Sequence, residues 1–265
     1  MKTTKLLILA CVLLLNTVYA QENSANDNIA NAYEMPRTQV IQISNSETDA
    51  LNKLYIKLPD GYEKNKHLKY PVIYFTHPVQ HIEILSALTE SLLEDVIIVG
   101  LSWPKGMHYG NLDSYVNDFL RQDVFKMVES KYRADAERRT FFGYSSGGVV
   151  GAYILSNHPN TFKNFILGSP DLGVDHEVVQ KIYKLESTTA KDRKKLNANV
   201  FISYGILEVN ATPIFEKFIT MLKSINDESL TLQHIVVEGN HQTAFPMTAV
   251  QSVIWLSDLL KKQGI

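Results

Sequence analysis

Two runs in this chain, Val72-Ile73-Tyr74-Phe75 and Val96-Ile97-Ile98-Val99, are apolar at every position. A strand with one wet face alternates apolar and polar residues, so an unbroken apolar run of this length belongs to a strand buried on both faces. Only a sheet covered above and below provides such a place. Further strand-like runs fall at Gln39 to Ser44, Leu54 to Leu58, Thr140 to Phe142, Phe165 to Gly168, Val200 to Tyr204 and Thr231 to Val237. Helix-length segments lie between or after them at His81 to Leu93, Asp113 to Lys131, Ser146 to Asn157, His176 to Leu185, Pro213 to Ile225 and Met247 to Lys262. This alternation predicts an α/β chain: about eight strands in a mostly parallel sheet, with helices on both faces. The first two strands, joined by Asn45-Ser46-Glu47-Thr48-Asp49, read instead as an antiparallel hairpin at one edge. The charged stretch Lys181 to Lys195 reads as a surface excursion within the domain.

The start of the chain has a different character. Lys2 and Lys5 precede an almost wholly apolar run from Leu6 to Leu15, and Val18-Tyr19-Ala20 follows, ahead of polar Gln21-Glu22-Asn23. That order is the pattern of a cleaved export signal. Residues 1–20 are therefore expected to be removed, 21–37 to form a loose lead-in and 38–265 to fold as one domain, exported to the periplasm or the medium. A lipid-attachment cysteine would close the apolar run, whereas Cys11 is followed by Val12 to Leu15. Cys11 is the only cysteine, so the domain has no disulfide, thiolate metal site or cysteine nucleophile, and it must rest on its core. The formal net charge of −2 would become −4 without Lys2 and Lys5, and both signs are mixed along the chain; no basic face for nucleic acid emerges. After the leader no segment approaches the roughly 18 continuous apolar residues of a membrane-spanning helix, so no membrane insertion is expected. Oligomeric state is not legible.

The chemistry centres on Gly143-Tyr144-Ser145-Ser146-Gly147, set between apolar Thr140-Phe141-Phe142 and the helix-like run that follows. A serine held on a strand-to-helix turn, with glycines two residues before and after it, has the form of a nucleophile elbow. Side chains at the glycines would meet the neighbouring strand and helix. The other role for Ser145 is an ordinary helix N-cap. A hydroxyl needs a neighbouring base before it attacks at neutral pH, and His241, in the turn Glu238-Gly239-Asn240-His241 after the last strand, falls at the same end of a parallel sheet. An acid is expected after the seventh strand, where Glu208 closes Gly205-Ile206-Leu207-Glu208; a carboxylate there would set the imidazole tautomer and stabilise its cation. Asp171, after the sixth strand, is the rival acid, and a Ser-His pair without a carboxylate is a third arrangement.

An oxyanion hole would combine the Ser146 N–H with one from Thr76-His77-Pro78-Val79. Pro78 has no N–H, which leaves His77 or Val79. The loop after the fourth strand supplies Trp103, His108 and Tyr109 as pocket candidates. The spacing of His77, His81 and His108 fits no compact metal motif, so no metal is assigned.

These residues resemble the esterase family of the α/β-hydrolase superfamily, the group that includes the ferric-siderophore esterases. The resemblance runs from about Thr38 to the C-terminus. It is carried by Lys69-Tyr70-Pro71-Val72-Ile73-Tyr74, Ile98-Val99-Gly100-Leu101, Tyr132-Arg133-Ala134-Asp135, Arg138-Arg139-Thr140, Gly143 to Gly148, Gly205 to Glu208 and Glu238 to His241. It implies an α/β-hydrolase fold, with Ser145 as nucleophile, His241 as base and Glu208 as acid. His77-Pro78 departs from the Asp-Gly usual in the family, which puts the oxyanion loop and substrate range in question. The expected activity is cleavage of carboxylic esters through an acyl-enzyme, on a small-molecule ester and without a cofactor. The alternatives are a catecholate trilactone (siderophore) esterase, acyl transfer to an alcohol, and a non-catalytic binding protein on the same scaffold.

Overall fold

Each strand-like run forms a strand in the computed structural model, which describes residues 34–46, 49–76, 79–102, 109–173, 177–187, 195–225 and 228–262. The expected signal peptide and most of the lead-in lie outside the described residues. The chain divides into two units, Met1–Pro36 and Arg37–Ile265, and the second carries the sheet. Its strands are β1 (Thr38–Ser44), β2 (Leu51–Lys57), β3 (Tyr70–Thr76), β4 (Ile97–Leu101), β5 (Ala134–Tyr144), β6 (Asn164–Gly168), β7 (Ala198–Gly205) and β8 (Leu230–Val237). They form one eight-stranded sheet in the order β1-β2-β4-β3-β5-β6-β7-β8. β1 and β2 pair antiparallel from Thr38↔Lys57 to Ser44↔Leu51, and β2 pairs antiparallel with β4. All the remaining pairings are parallel.

Burial along β3 shows why its run has no polar position. Successive side chains point to opposite faces, yet Tyr74 and Phe75 are both fully buried. Tyr74 packs against Phe125 and Phe162 at ring distances of 4.9 and 5.8 Å, while Phe75 meets Phe142 at 5.1 Å and Phe245 at 6.1 Å. β5 repeats the pattern, with Phe141 against Phe162 and Phe142 against Phe245. Two aromatic layers thus sandwich the central strands, and each buried ring contributes roughly 2–3 kcal/mol by area removed from water.

The covering helices are α1 (Val79–Leu92), a helical run over 109–131 termed α2, α3 (Ser146–Asn157), α4 (Glu177–Ser187), α5 (Thr212–Ser224) and α6 (Phe245–Lys262). Within α2, Tyr115–Phe125 is π-helical rather than the plain α-helix expected. Its buried side chains come as doublets, Tyr115-Val116, Phe119-Leu120 and Val124-Phe125, which recur every four to five residues. That period is wider than the 3.6 of an α-helix and suits the wider π turn. Lys57, with a side chain only 3% exposed at the end of β2, is paired to Glu90 of α1. No helix among the described residues is long and apolar enough to cross a membrane.

Candidate active site

β5 ends at Tyr144, and the chain turns into α3 through Ser145, whose backbone lies at φ 55, ψ −118. That conformation is sparsely populated for a residue with a side chain and stores strain. The flanking glycines make it possible. A Cβ on Gly143 would lie 2.1 Å from the Gly147 carbonyl oxygen, and one on Gly147 would lie 2.7 Å from Thr76 Oγ1 and 2.8 Å from Thr76 O. Ser145 occupies the N-cap position of α3, but its side chain makes no capping bond. Its Oγ stands instead 2.8 Å from His241 Nε2.

His241 is delivered by a turn that the local sequence builds. Gly239 takes φ 118, a region that favours glycine, and Asn240 Oδ1 accepts the N–H groups of Gln242 and Thr243 at 3.0 and 3.1 Å. The loop after β7 is tied to the same turn: the N–H of Ile206 donates to Val237 O at 2.8 Å and that of Leu207 to Gly239 O at 3.0 Å. Glu208 therefore arrives with Oε2 2.8 Å from His241 Nδ1. A carboxylate there keeps the proton on Nδ1 and leaves Nε2 free to accept the serine O–H. The Glu208 side chain is 5% exposed and that of His241 39% exposed, so the carboxylate is shielded while the imidazole can be reached from solvent. Asp171, the rival acid, is exposed on the rim. Its N–H donates to Ser145 O at 3.3 Å, and His241 Nδ1 faces Glu208 rather than Asp171.

Ser146 opens α3 and Val79 opens α1. Amides in the first turn of a helix lack intrahelical acceptors and sit at the positive end of its dipole, the property an oxyanion hole needs. His77, Trp103 and His108 lie outside the described residues. Tyr109 does reach the site. Its phenol bonds the Ser146 side chain, and burial, followed by the charge of Asp171, raises its pKa. Its segment is pinned four residues on, where Asp113 accepts from His158 Nε2 at 2.7 Å and from Tyr153. His81 lies against the aromatic layer, stacked on Phe245 at 3.8 Å, and burial lowers its pKa. His234 sits on edge strand β8 with Nε2 3.0 Å from Lys223 Nζ.

Residues 46–198, more than half of the chain, match the family model described as "Putative esterase". The chain belongs to this esterase family. The matched region contains Ser145 and ends before Glu208 and His241, so it is the fold that completes the set. A curated relative, the Ferri-bacillibactin esterase BesA of Bacillus subtilis (strain 168), is 28% identical over 110 residues, which is 41% of this chain and 36% of that one; the match therefore spans about a third of that relative's length. Among solved structures, the BES protein from Bacillus cereus superposes with a TM-score of 0.72 at 18% identity, covering 86% of this chain and 98% of that one. The siderophore hydrolase EstA from Aspergillus nidulans gives 0.70 at 14% identity, covering 87% and 98%. At such identities the likeness is one of fold, the α/β-hydrolase fold common to these esterases.

Sequence reading of this esterase-family member passed over Ser169 and the phenol of Tyr144. Ser169 Oγ lies 2.6 Å from Glu208 Oε1, and Tyr144, its pKa pushed up to about 12 chiefly by burial, donates to the His241 carbonyl oxygen at 2.7 Å. The available signal was a polar residue directly after the apolar run Phe165 to Gly168, in Gly168-Ser169-Pro170, which elsewhere marks nothing more than a turn.

Proposed function

We propose that this chain is a serine esterase that cleaves carboxylic esters through an acyl-enzyme. The observation that carries the reading is the unbroken relay from Ser145 Oγ through His241 to Glu208, with both contacts at 2.8 Å, built on a strained elbow. Ser145 Oγ adds to the ester carbonyl as Nε2 of His241 takes its proton. The buried Glu208 carboxylate stabilises the imidazolium, and the amide of Ser146, with one from the loop after β3, that of His77 or Val79, receives the charge on the tetrahedral oxygen. The imidazolium returns the proton to the departing alkoxide, and an alcohol leaves. Water then repeats the sequence on the acyl-serine, freeing the carboxylic acid and restoring Ser145. A fluorophosphonate probe is expected to label wild type and not Ser145→Ala; equal labelling of the two would remove Ser145 as nucleophile.

Similarity to BesA supports a second reading, hydrolysis of a catecholate trilactone. The mouth of the site favours the first. Exposed Ile206, Leu207 and Val209 flank Glu208, and the Asp171 carboxylate stands on the rim, a surface suited to uncharged, partly apolar esters and unfavourable to a trianionic complex. Initial rates on short p-nitrophenyl esters against a catecholate trilactone separate the two readings. The leader pattern of residues 1–20 supports export of the enzyme, which sequencing the N-terminus of protein recovered from the periplasm or medium would check.

A further inference from the structure

Glu208 has two carboxylate oxygens but only one faces the base, so its orientation has to be imposed. Oε2 is engaged with His241. Oε1 accepts two hydrogen bonds, from the Gly205 N–H at 2.7 Å and from Ser169 Oγ at 2.6 Å. The first comes from the acid's own loop, three residues away. The second comes from the end of a different strand: Ser169 directly follows β6, is fully buried, and is anchored by its N–H to Ser203 O at 2.7 Å. Its backbone sits at φ 37, a left-handed conformation that a serine adopts at a cost. Its oxygen also stands 3.2 Å from the Tyr144 hydroxyl. Ser169 has one hydroxyl proton, however, and the shorter, charge-assisted contact to the carboxylate takes it. Tyr144 meanwhile spends its own proton on the His241 carbonyl. Residues at the ends of β5 and β6 therefore hold the acid and the base, which themselves follow β7 and β8.

We infer that Ser169 is a positioning residue of the catalytic relay: its hydroxyl locks the Glu208 carboxylate so that Oε2 stays on His241 Nδ1 through the reaction. The inference rests on the esterase reading above for its kinetic consequence, and on geometry alone for the contact.

Ser169→Gly is the informative variant, because glycine takes φ 37 without strain and the substitution removes only the hydroxymethyl group. With a p-nitrophenyl ester, kcat is expected to fall about 10- to 100-fold, the range seen when the hydrogen-bond partner that orients a metal-ligating side chain is lost, applied here to a carboxylate that orients a histidine. KM is expected to stay within about twofold, because ground-state binding is untouched, and the downfield proton resonance of His241 Nδ1–H to change, because the carboxylate that accepts it is no longer held from its other oxygen. A kcat within about threefold of wild type, or an unchanged Nδ1–H resonance, overturns the inference. Should Ser169→Gly fail to fold, Ser169→Cys, a near-isosteric but weak donor, is expected to lower kcat and change the Nδ1–H resonance in the same sense; a wild-type kcat or an unchanged resonance in that variant overturns the inference. The downfield proton resonance of His241 Nδ1–H separates this inference from the esterase reading. If the wild type turns over no ester, that reading fails, while a changed resonance in Ser169→Gly still upholds the lock and an unchanged one still refutes it.

Discussion

At the scale of single residues, the site is set by which carboxylate reaches His241. Glu208 and Asp171 both follow a strand at the same end of the sheet, and chemistry alone favours neither. Glu208 is buried with one oxygen 2.8 Å from Nδ1, whereas Asp171 is exposed. Glu208→Gln is therefore expected to lower kcat by about 10²- to 10⁴-fold by losing the charge that holds the tautomer. Asp171→Asn should leave kcat within about threefold, since it touches no reacting atom. Steady-state kinetics of the two variants on one p-nitrophenyl ester checks this, and the reverse ranking would return the acid's role to Asp171. The elbow glycines act at the same scale: at Gly143 an added methyl group would run into the Gly147 carbonyl, so these positions are constrained by space.

At the scale of elements, two features depart from regular packing. One is the π-helical stretch Tyr115–Phe125, where doublets spaced by four and five residues would drift off the buried side of an ordinary α-helix. The other is the tie between β2 and α1, where buried Lys57 meets Glu90, with Arg37 on the same carboxylate. Removing the acid leaves an ammonium group out of water without its partner, which costs about 2–4 kcal/mol, so Glu90→Gln should melt several degrees below wild type at pH 7. The Lys57 hydrogen bond is the main cause of the lowered Glu90 pKa. A group whose folded pKa is depressed contributes stability that is complete above its unfolded pKa and is lost as pH falls through the folded value. The gap between wild type and variant should therefore close in acid. Thermal melts across that range test it, and a gap independent of pH would show that the carboxylate charge is not what matters.

At the scale of the whole molecule, one sheet with an aromatic layer on each face supplies the stability that disulfides provide in many exported domains of smaller core. With Cys11 the only cysteine, a reducing agent should leave the melting temperature unchanged to within about 1 °C, because no loop in the chain is covalently closed. A clear drop on reduction, followed by calorimetry, would point to a bridge between chains through Cys11, and so to a leader that is retained. The same architecture gathers the proposed site at one end of the sheet: Ser145, Ser169, Glu208 and His241 follow β5, β6, β7 and β8, which neighbour one another in that order. Parallel strands end together, so four short loops far apart in sequence become one rim.

The order of elements was legible because burial on both faces leaves a mark at every position of a strand, and 3.6-residue spacing leaves another on helices. The hairpin edge, the eight strands and the elbow all follow from such local marks. The triad candidates Ser145, His241 and Glu208 were legible as to location for the same reason, since each sits at the end of a recognisable strand. Local marks carry no information about which of two rim carboxylates turns inward, about a π turn within a helix, or about a buried serine gripping an acid 39 residues away. Those depend on distances between segments that meet only after the sheet has formed, because hydrogen bonds act over about 3 Å while the pattern in a sequence records only which side of each segment faces away from water.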